Sequence, residues 1–286
     1  MPAGGKKVIN ESKKPLNGWC FLLGLAAIAF PVLGFAEAEL PQHRYSLSLG
    51  TFITDRDTTT QLDSDTLGPG TPVDLENDLG LKRSETVLRV EGYARFAQRH
   101  RLDFSFFDLS RDTTRRLDRQ IQFGDEVFDI NTDIASDFDL KIIKAAYTYS
   151  LVDKPEGYLG IGGGLYVMDI KTSLSAIALG RAEAGDVTAP LPVIGLRGEY
   201  ALARRWVARG SVELFSIEFD EVDGSLTDFY AAIEYLVSDN ARIGLAYNDT
   251  SFDVKVNSSG YSGELDWKYD GILLYVGVGF GSMPGR

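Results

Sequence analysis

The chain has 286 residues, 44% of them hydrophobic, and a formal net charge of -12. That acidic balance, with no Lys/Arg cluster forming a basic stripe, repels phosphate backbones and excludes nucleic acid as a partner. Its single cysteine, Cys20, excludes a disulfide framework and a thiolate metal site.

The first element in the chain is a targeting segment. Lys6, Lys7, Lys13 and Lys14 precede an apolar run from Trp19 to Phe35, followed by Ala36-Glu37-Ala38. A basic stretch, an apolar stretch and a small-residue cleavage site are the layout of a cleavable signal peptide, here residues 1–38. A retained membrane anchor is the competing reading. The run is short for a helical span, is interrupted by Pro31, and ends at the cleavage pattern. Cys20 opens the run rather than following it, which is the wrong place for a lipid-modified N-terminus. Removing the four lysines and two glutamates of this segment leaves residues 39–286 with 25 basic and 39 acidic side chains, read as one domain.

From residue 43 onward, apolar residues recur mostly at every second position, and no segment sustains the i, i+3, i+4, i+7 pattern of a helix. The alternation predicts strands over 43–54, 84–97, 100–110, 137–151, 157–170, 191–202, 206–219, 226–236, 241–254 and 264–280. Connections 55–83, 111–136 and 171–190 are long, whereas 98–99, 152–156 and 203–205 are short; 220–225, 237–240 and 255–263 are brief. Long loops on one side and tight turns on the other predict an all-β fold, a transmembrane antiparallel up-and-down β-barrel of about ten strands, with eight as the alternative. The long loops, rich in Asp, Thr and Gly as in Asp55–Thr60, are expected to be solvated.

The two faces of each strand differ. In the second, Leu88, Val90, Ala94 and Phe96 oppose Arg89, Glu91, Tyr93 and Arg95; in the sixth, Ile194, Leu196, Tyr200 and Leu202 oppose Arg197 and Glu199. Ala208, Val212 and Leu214 oppose Arg209, Ser211 and Glu213 in the seventh; Phe229, Ala231, Ile233 and Tyr235 oppose Asp228 and Glu234 in the eighth. A charge facing lipid costs about 2–4 kcal/mol at the bilayer midplane, which assigns the charged faces to the lumen. The same parity puts Tyr45, Phe96, Tyr149, Tyr200, Trp206, Tyr235 and Phe280 on the outside next to short turns or a terminus, a candidate periplasmic aromatic girdle.

In the last strand Ile272, Leu274, Val276, Val278 and Phe280 alternate with Leu273, Tyr275, Gly277 and Gly279. This resembles the C-terminal assembly signal of the small Gram-negative outer-membrane β-barrel family, through pattern rather than an exact motif. The closing aromatic is commonly the last residue there; here Gly281 to Arg286 follow Phe280. The resemblance implies integral outer-membrane location after export, insertion by the barrel-assembly machinery, outer-membrane lipid and lipopolysaccharide as surroundings, no cofactor and no enzymatic activity.

Inward parity gathers Arg89, Arg95, Lys144, Arg197, Arg209 and Arg242 with Glu91, Asp103, Glu199, Glu213, Asp228 and Glu234. Six charges of each sign in a narrow barrel favour mutual pairing over a one-signed lining, so a largely closed lumen is expected. Gly160, Gly162 and Gly164 share the inward parity and are expected to leave room for the arginines. A phosphate loop needs a following helix and a Lys-Ser pair, both missing.

An outer-membrane enzyme would ordinarily use a histidine base. His43 and His100 both lie at the periplasmic edge, and the acidic run Asp220, Glu221 and Asp223 reads as a solvated loop. Asp63, Asp65, Asp74, Glu76 and Asp78 offer oxygen ligands for a divalent cation, but no twelve-residue calcium loop is present, and no metal site is assigned. The expected function is a structural or surface-interaction role through the first three extracellular loops. The alternative is a narrow channel for small solutes or apolar ligands, lined by Tyr93, Phe107, Tyr166, Phe215 and Tyr230.

Overall fold

A computed structural model describes residues 38–219, 222–258 and 261–283. All of the signal-peptide segment except Ala38 lies outside these residues, as do Asp220, Glu221 and the last three of the C-terminal tail. The elements are β1 (His43–Leu62), β2 (Val73–Asp74), β3 (Glu85–Ala97), β4 (His100–Arg116), β5 (Ile121–Phe123), β6 (Glu126–Phe128), β7 (Asp133–Lys154) and β8 (Gly157–Ala176). They continue through β9 (Arg181–Ala203), β10 (Trp206–Phe219), β11 (Val222–Leu236), β12 (Ala241–Ser258) and β13 (Tyr261–Ser282). Each of the ten long strands pairs antiparallel with its successor, and β13 returns to β1 from Tyr45↔Phe280 up to Leu62↔Gly263. The result is a closed up-and-down barrel. Closure pairs the backbone groups that a bilayer could not hydrate.

Register shifts occur at Arg95/Ala97, Ser150/Val152 and Trp206/Val207, each beside a short turn. Bulges of this kind bend strand ends at barrel rims without disturbing the register beyond them.

Along the barrel axis the wall has two zones with opposite logic. In the lower zone the outside is apolar: Leu47, Leu49 and Ile53 on β1 and Leu274, Val276 and Val278 on β13 are exposed, while Ser46, Ser48 and Arg89 are buried. Tyr45 to Ile53 is nine residues, enough for a tilted strand to cross the hydrocarbon. The belt stops at Asp55, Asp270 and Asp249, which neighbour one another across β1, β13 and β12. Above that level the preference inverts. Asp137, Lys171 and Lys268 face solvent, and Phe138, Leu140, Met168, Ile170, Phe252 and Trp267 fill the interior as in a water-soluble barrel.

The structure departs from the sequence pattern in two respects. The first and second long connections are not solvated: Val73, Leu75, Leu79 and Leu81 from one, and Leu117, Ile121, Phe123 and Phe128 from the other, are buried in the mouth core. Their Asp and Thr residues serve turns, as when Asp74 accepts the Glu76 and Asn77 amides at 3.0 and 2.7 Å. Several strands are also longer than the alternation predicts. Asp55–Thr60 belongs to β1, and the third connection is the upper part of a β8–β9 hairpin, turned by a short 3₁₀ segment (Ile177–Leu179) and Gly180 at φ 65°.

The β8–β9 ladder runs to Ala176↔Arg181, but the β9–β10 ladder ends at Ile194↔Leu214. Pro190 and Pro192 lie just above that end. They lack amide hydrogens, and since the β8 side is paired through both, the β10 side is where pairing stops.

Candidate functional site

The lower lumen is filled by charge. Glu199 on β9 is the hub: Arg101 reaches it at 2.5 Å, Arg209 at 2.9 Å and Arg95 at 3.5 Å. Register explains the geometry, because Arg209 is the cross-strand partner of Glu199 and so is Tyr158 on the other side. Arg101 also donates to Asp103 at 2.6 Å and to the Tyr158 hydroxyl at 2.7 Å, with its guanidinium 3.9 Å from the Tyr93 ring centroid. From this hub the pairs spread around the wall. Arg209 and Arg242 approach Glu234 at 3.3 and 3.2 Å, and the Tyr275 hydroxyl donates to the same carboxylate at 2.6 Å. Arg197 links Asp103 at 3.5 Å with Glu213 at 3.0 Å. Lys144 pairs with Glu213 and lies 3.5 Å from Asp228.

Neutral polar groups complete the network. The Tyr166 hydroxyl donates to Glu213 at 2.7 Å and also bonds Asp228. Asn248 donates to Asp228 at 2.7 Å and accepts from Arg89 at 2.6 Å, while Arg89 meets Glu91 at 2.8 Å. Satisfied donors on every carboxylate are what make burial of so much charge tolerable.

All twelve charged residues singled out by parity face the lumen and take part in these contacts. Parity assignment omitted Arg101, which shares the face of Asp103 and holds the hub together. The three inward glycines do more than leave room for the arginines, although Gly162 and Gly164 do border a small cavity together with Arg197. A Cβ at Gly160, Gly162 or Gly164 meets Thr148, the Tyr147 carbonyl or Ala146 and the Ala145 carbonyl on β7, so glycine there permits close strand approach.

A second polar cluster locks the first loop to the wall. The buried Glu76 accepts from Arg111 at 2.5 Å and from the Thr58 amide at 2.8 Å, and Arg111 packs 4.8 Å from the Phe138 ring centroid. Arg56 pairs with Glu85 at 3.4 Å nearby. Two other loop carboxylates are engaged by the protein itself: Asp63 accepts from Gln61 and Ser262 at 2.7 Å, and Asp78 from Arg119 at 2.5 Å, while Asp65 is exposed.

The girdle residues lie at the short-turn end. Tyr45, Phe96, Tyr149, Tyr200, Trp206 and Phe280 are exposed and Tyr235 is half-buried against Trp206, 5.0 Å between ring centroids. His43 bonds the Asp239 carbonyl and His100 the Tyr147 hydroxyl, both at 2.7 Å and both at the same end. Asp223 is exposed at the start of β11. Among the aromatics read as lumen-facing, Tyr93, Phe107, Tyr166 and Tyr230 are buried and Phe215 is half-buried.

A closed ladder of ten antiparallel strands, an apolar outer belt as tall as a bilayer core and charges confined to the inside define an integral protein of the bacterial outer membrane. No protein-family model and no curated protein matches the sequence. Among solved structures the chain is similar to the outer membrane protease OmpT of Escherichia coli: TM-score 0.59, 9% identity, 86% of this chain and 99% of that chain covered. It is also similar to OprG of Pseudomonas aeruginosa, with TM-score 0.37, 12% identity and coverage of 85% and 100%. Ail, the attachment invasion locus protein of Yersinia pestis, matches with TM-score 0.34, 12% identity and coverage of 81% and 97%. The likeness to OmpT is one of fold alone, that of a closed outer-membrane β-barrel.

Proposed function

We propose that the protein is a sealed envelope barrel, structural or surface-interacting, that conducts no solute. The observation carrying this reading is double occlusion. The lower lumen is spanned by the ion-paired network, and the extracellular mouth above it is filled by the apolar residues of two loops. Within the network the central cavity is only ≈ 40 Å³, room for about three water molecules.

A catalytic role is disfavoured by the position of both histidines at the periplasmic end, each bonded to a neighbouring group, remote from the surface where substrates arrive. Lipopolysaccharide is the proposed neighbour of the upper belt. The test is single-channel recording of the refolded mature chain in planar bilayers. Silence across many insertions, verified by heat-modifiable migration of the same sample, is the expected outcome; reproducible current steps overturn it.

One observation favours a second reading, passage of a small apolar ligand. Above Ile194 the walls β9 and β10 part, and an apolar cavity of ≈ 50 Å³ lined by Val187, Ala189, Ile170 and Phe252 lies inside at that side. Saturable quenching of mouth tryptophan Trp267 by an apolar probe is the signature of that reading.

A further inference from the structure

The extracellular half of the wall has an unpaired edge. On one side β9 is paired with β8 from Gly157↔Tyr200 to Ala176↔Arg181, without a register shift. On the other it is paired with β10 only as far as Ile194↔Leu214. β10 ends at Phe219, five residues beyond Leu214, and the residue five beyond Ile194 on β9 is Ala189. From Ala182 to Thr188, β9 therefore runs past the end of β10. Among the described residues, no backbone hydrogen bond joins this stretch to anything but β8.

The two prolines show which backbone groups this edge presents. Pro190 and Pro192 sit inside the β8–β9 ladder, opposite Val167 and Leu165. A residue without an amide hydrogen fits there only if its nitrogen points away from the partner strand. In an antiparallel ladder the N–H and C=O of one residue share a side, and the side alternates along the strand. Ala182, Ala184, Asp186 and Thr188 have the parity of the prolines, so each offers a donor and an acceptor to the open side. Little screens them. Lysines, bulges and prolines are what usually close an edge strand to pairing; β9 has no lysine, no register shift against β8 and no proline above Pro190. Inside the edge, Gly185, Val187 and Ala189 line the apolar cavity of ≈ 50 Å³, with Phe252 and Val254 also on its wall. At the upper end Glu183 lies against Gly124, next to Asp125 and Glu126.

We propose that the Ala182–Thr188 edge docks an extended segment of another protein at the cell surface, added as a strand antiparallel to β9. Main-chain bonds supply the affinity and alternate side chains the selection. The inward side chains of the guest are apolar, because they lie beside Val187 over the apolar cavity, and a Lys or Arg follows at the end that meets Glu183. A second barrel fits less well: in one membrane both β9 strands run in the same sense, so their edges cannot meet antiparallel. The inference deepens the surface-interacting role proposed above and rests on it.

The probe is a synthetic peptide with the sequence of residues 167–176, a strand that already pairs antiparallel with β9 and in which Met168, Ile170 and Leu174 alternate with Asp169, Lys171 and Ser173. Residue-resolved amide exchange is measured on the lipid-inserted mature chain with and without it. Exchange is expected to slow at Ala182, Ala184, Asp186 and Thr188 and to stay unchanged at Glu183, Gly185 and Val187, whose amides face β8. No change, or slowing of both sets alike, overturns the inference. The variant Ala184→Pro/Thr188→Pro continues the pattern of Pro190 and Pro192, removing two donors from the open side while leaving the β8 ladder. It is expected to weaken peptide binding by about tenfold or more with heat-modifiable migration unchanged. Undiminished binding in the folded variant overturns the inference; should the variant not fold, the wild-type exchange pattern decides. Self-association of the peptide-free barrel that the variant abolishes would give the edge to a second copy and overturn the peptide reading. Conductance is read separately: current steps would sink the sealed barrel with the edge still standing, and absent peptide pairing would sink the edge with the seal still standing.

Discussion

Glu199 receives three guanidinium groups, and the consequences of removing it are the sharpest available at single-residue scale. Glu199→Gln keeps the shape and deletes the charge, leaving Arg101 and Arg209 with one anionic partner each. Breaking a buried pair costs about 3–5 kcal/mol, expected here as a lower urea midpoint for the refolded barrel. Asp270 is the opposite case, since Asp55 and Asp249 flank it across both neighbouring strands. Like charges directly opposite destabilise, so Asp270→Asn is expected to raise stability by about 0.2–1 kcal/mol in the same assay. Outside the membrane, Asp78 gives a pH dependence. Burial pushes its carboxyl up, but the hydrogen bonds from Arg119 and the Asp74 amide outweigh this and hold it below the usual carboxylate range. A depressed folded value contributes stability above the unfolded pKa of about 3.9 and loses it as pH falls through the folded one. Protection of residues 73–81 against hydrogen exchange, taken relative to the intrinsic rate at each pH, is therefore expected to fall in acid below about pH 4. At this scale most of the network was legible, because a mid-strand charge between apolar neighbours has one affordable direction. Arg101 was not: it stands next to a turn, where a long side chain ordinarily reaches water, and only the fold shows it turned inward.

Elements were legible where lipid is the outer solvent and illegible where water is. In β8 the outward Leu159, Ile161 and Leu165 announce a strand, but beyond Val167 the apolar parity changes hands, to the inward Met168, Ile170 and Leu174. The backbone continues straight through while the hydrophobic alternation shifts phase, and a phase shift in the pattern mimics the end of a strand. The same inversion hid the upper parts of β1, β7 and β9. The loop segments failed for another reason: Val73, Leu75, Leu79 and Leu81 have no single period, so nothing but the completed mouth says that they are core. The pair Pro190 and Pro192 makes an element-scale prediction. In Pro190→Thr/Pro192→Thr the missing donors return, and the β9–β10 ladder is expected to extend beyond Ile194. Slower amide exchange at Phe215–Ile217 is the measurement; unchanged exchange would mean that strand splay, not proline, ends the ladder.

For the whole molecule, topology was almost fully legible, because alternating connection lengths follow from a chain that enters and leaves one membrane ten times. What holds the mouth shut was not. Glu76→Ala removes the buried partner of Arg111 and is expected to expose residues 63–84 to protease in folded, lipid-inserted protein. Conductance is expected to stay silent in that variant, since the lower network is untouched; current on unlocking the loop alone would assign the seal to the mouth.

The inversion of the wall also gives insertion a direction. The lower zone matures in hydrocarbon, but the mouth core gathers its Phe, Leu and Trp residues only after those segments have passed through the bilayer into water. Once assembled, it is wider in chemistry than the opening it came through: to retreat, the chain would have to dissolve a packed apolar core and drag Asp55, Asp249 and Asp270 through lipid. The outer half of the barrel is thus shaped like a rivet head on the far side of the membrane, and withdrawal of the folded chain would require its packed core to come apart first.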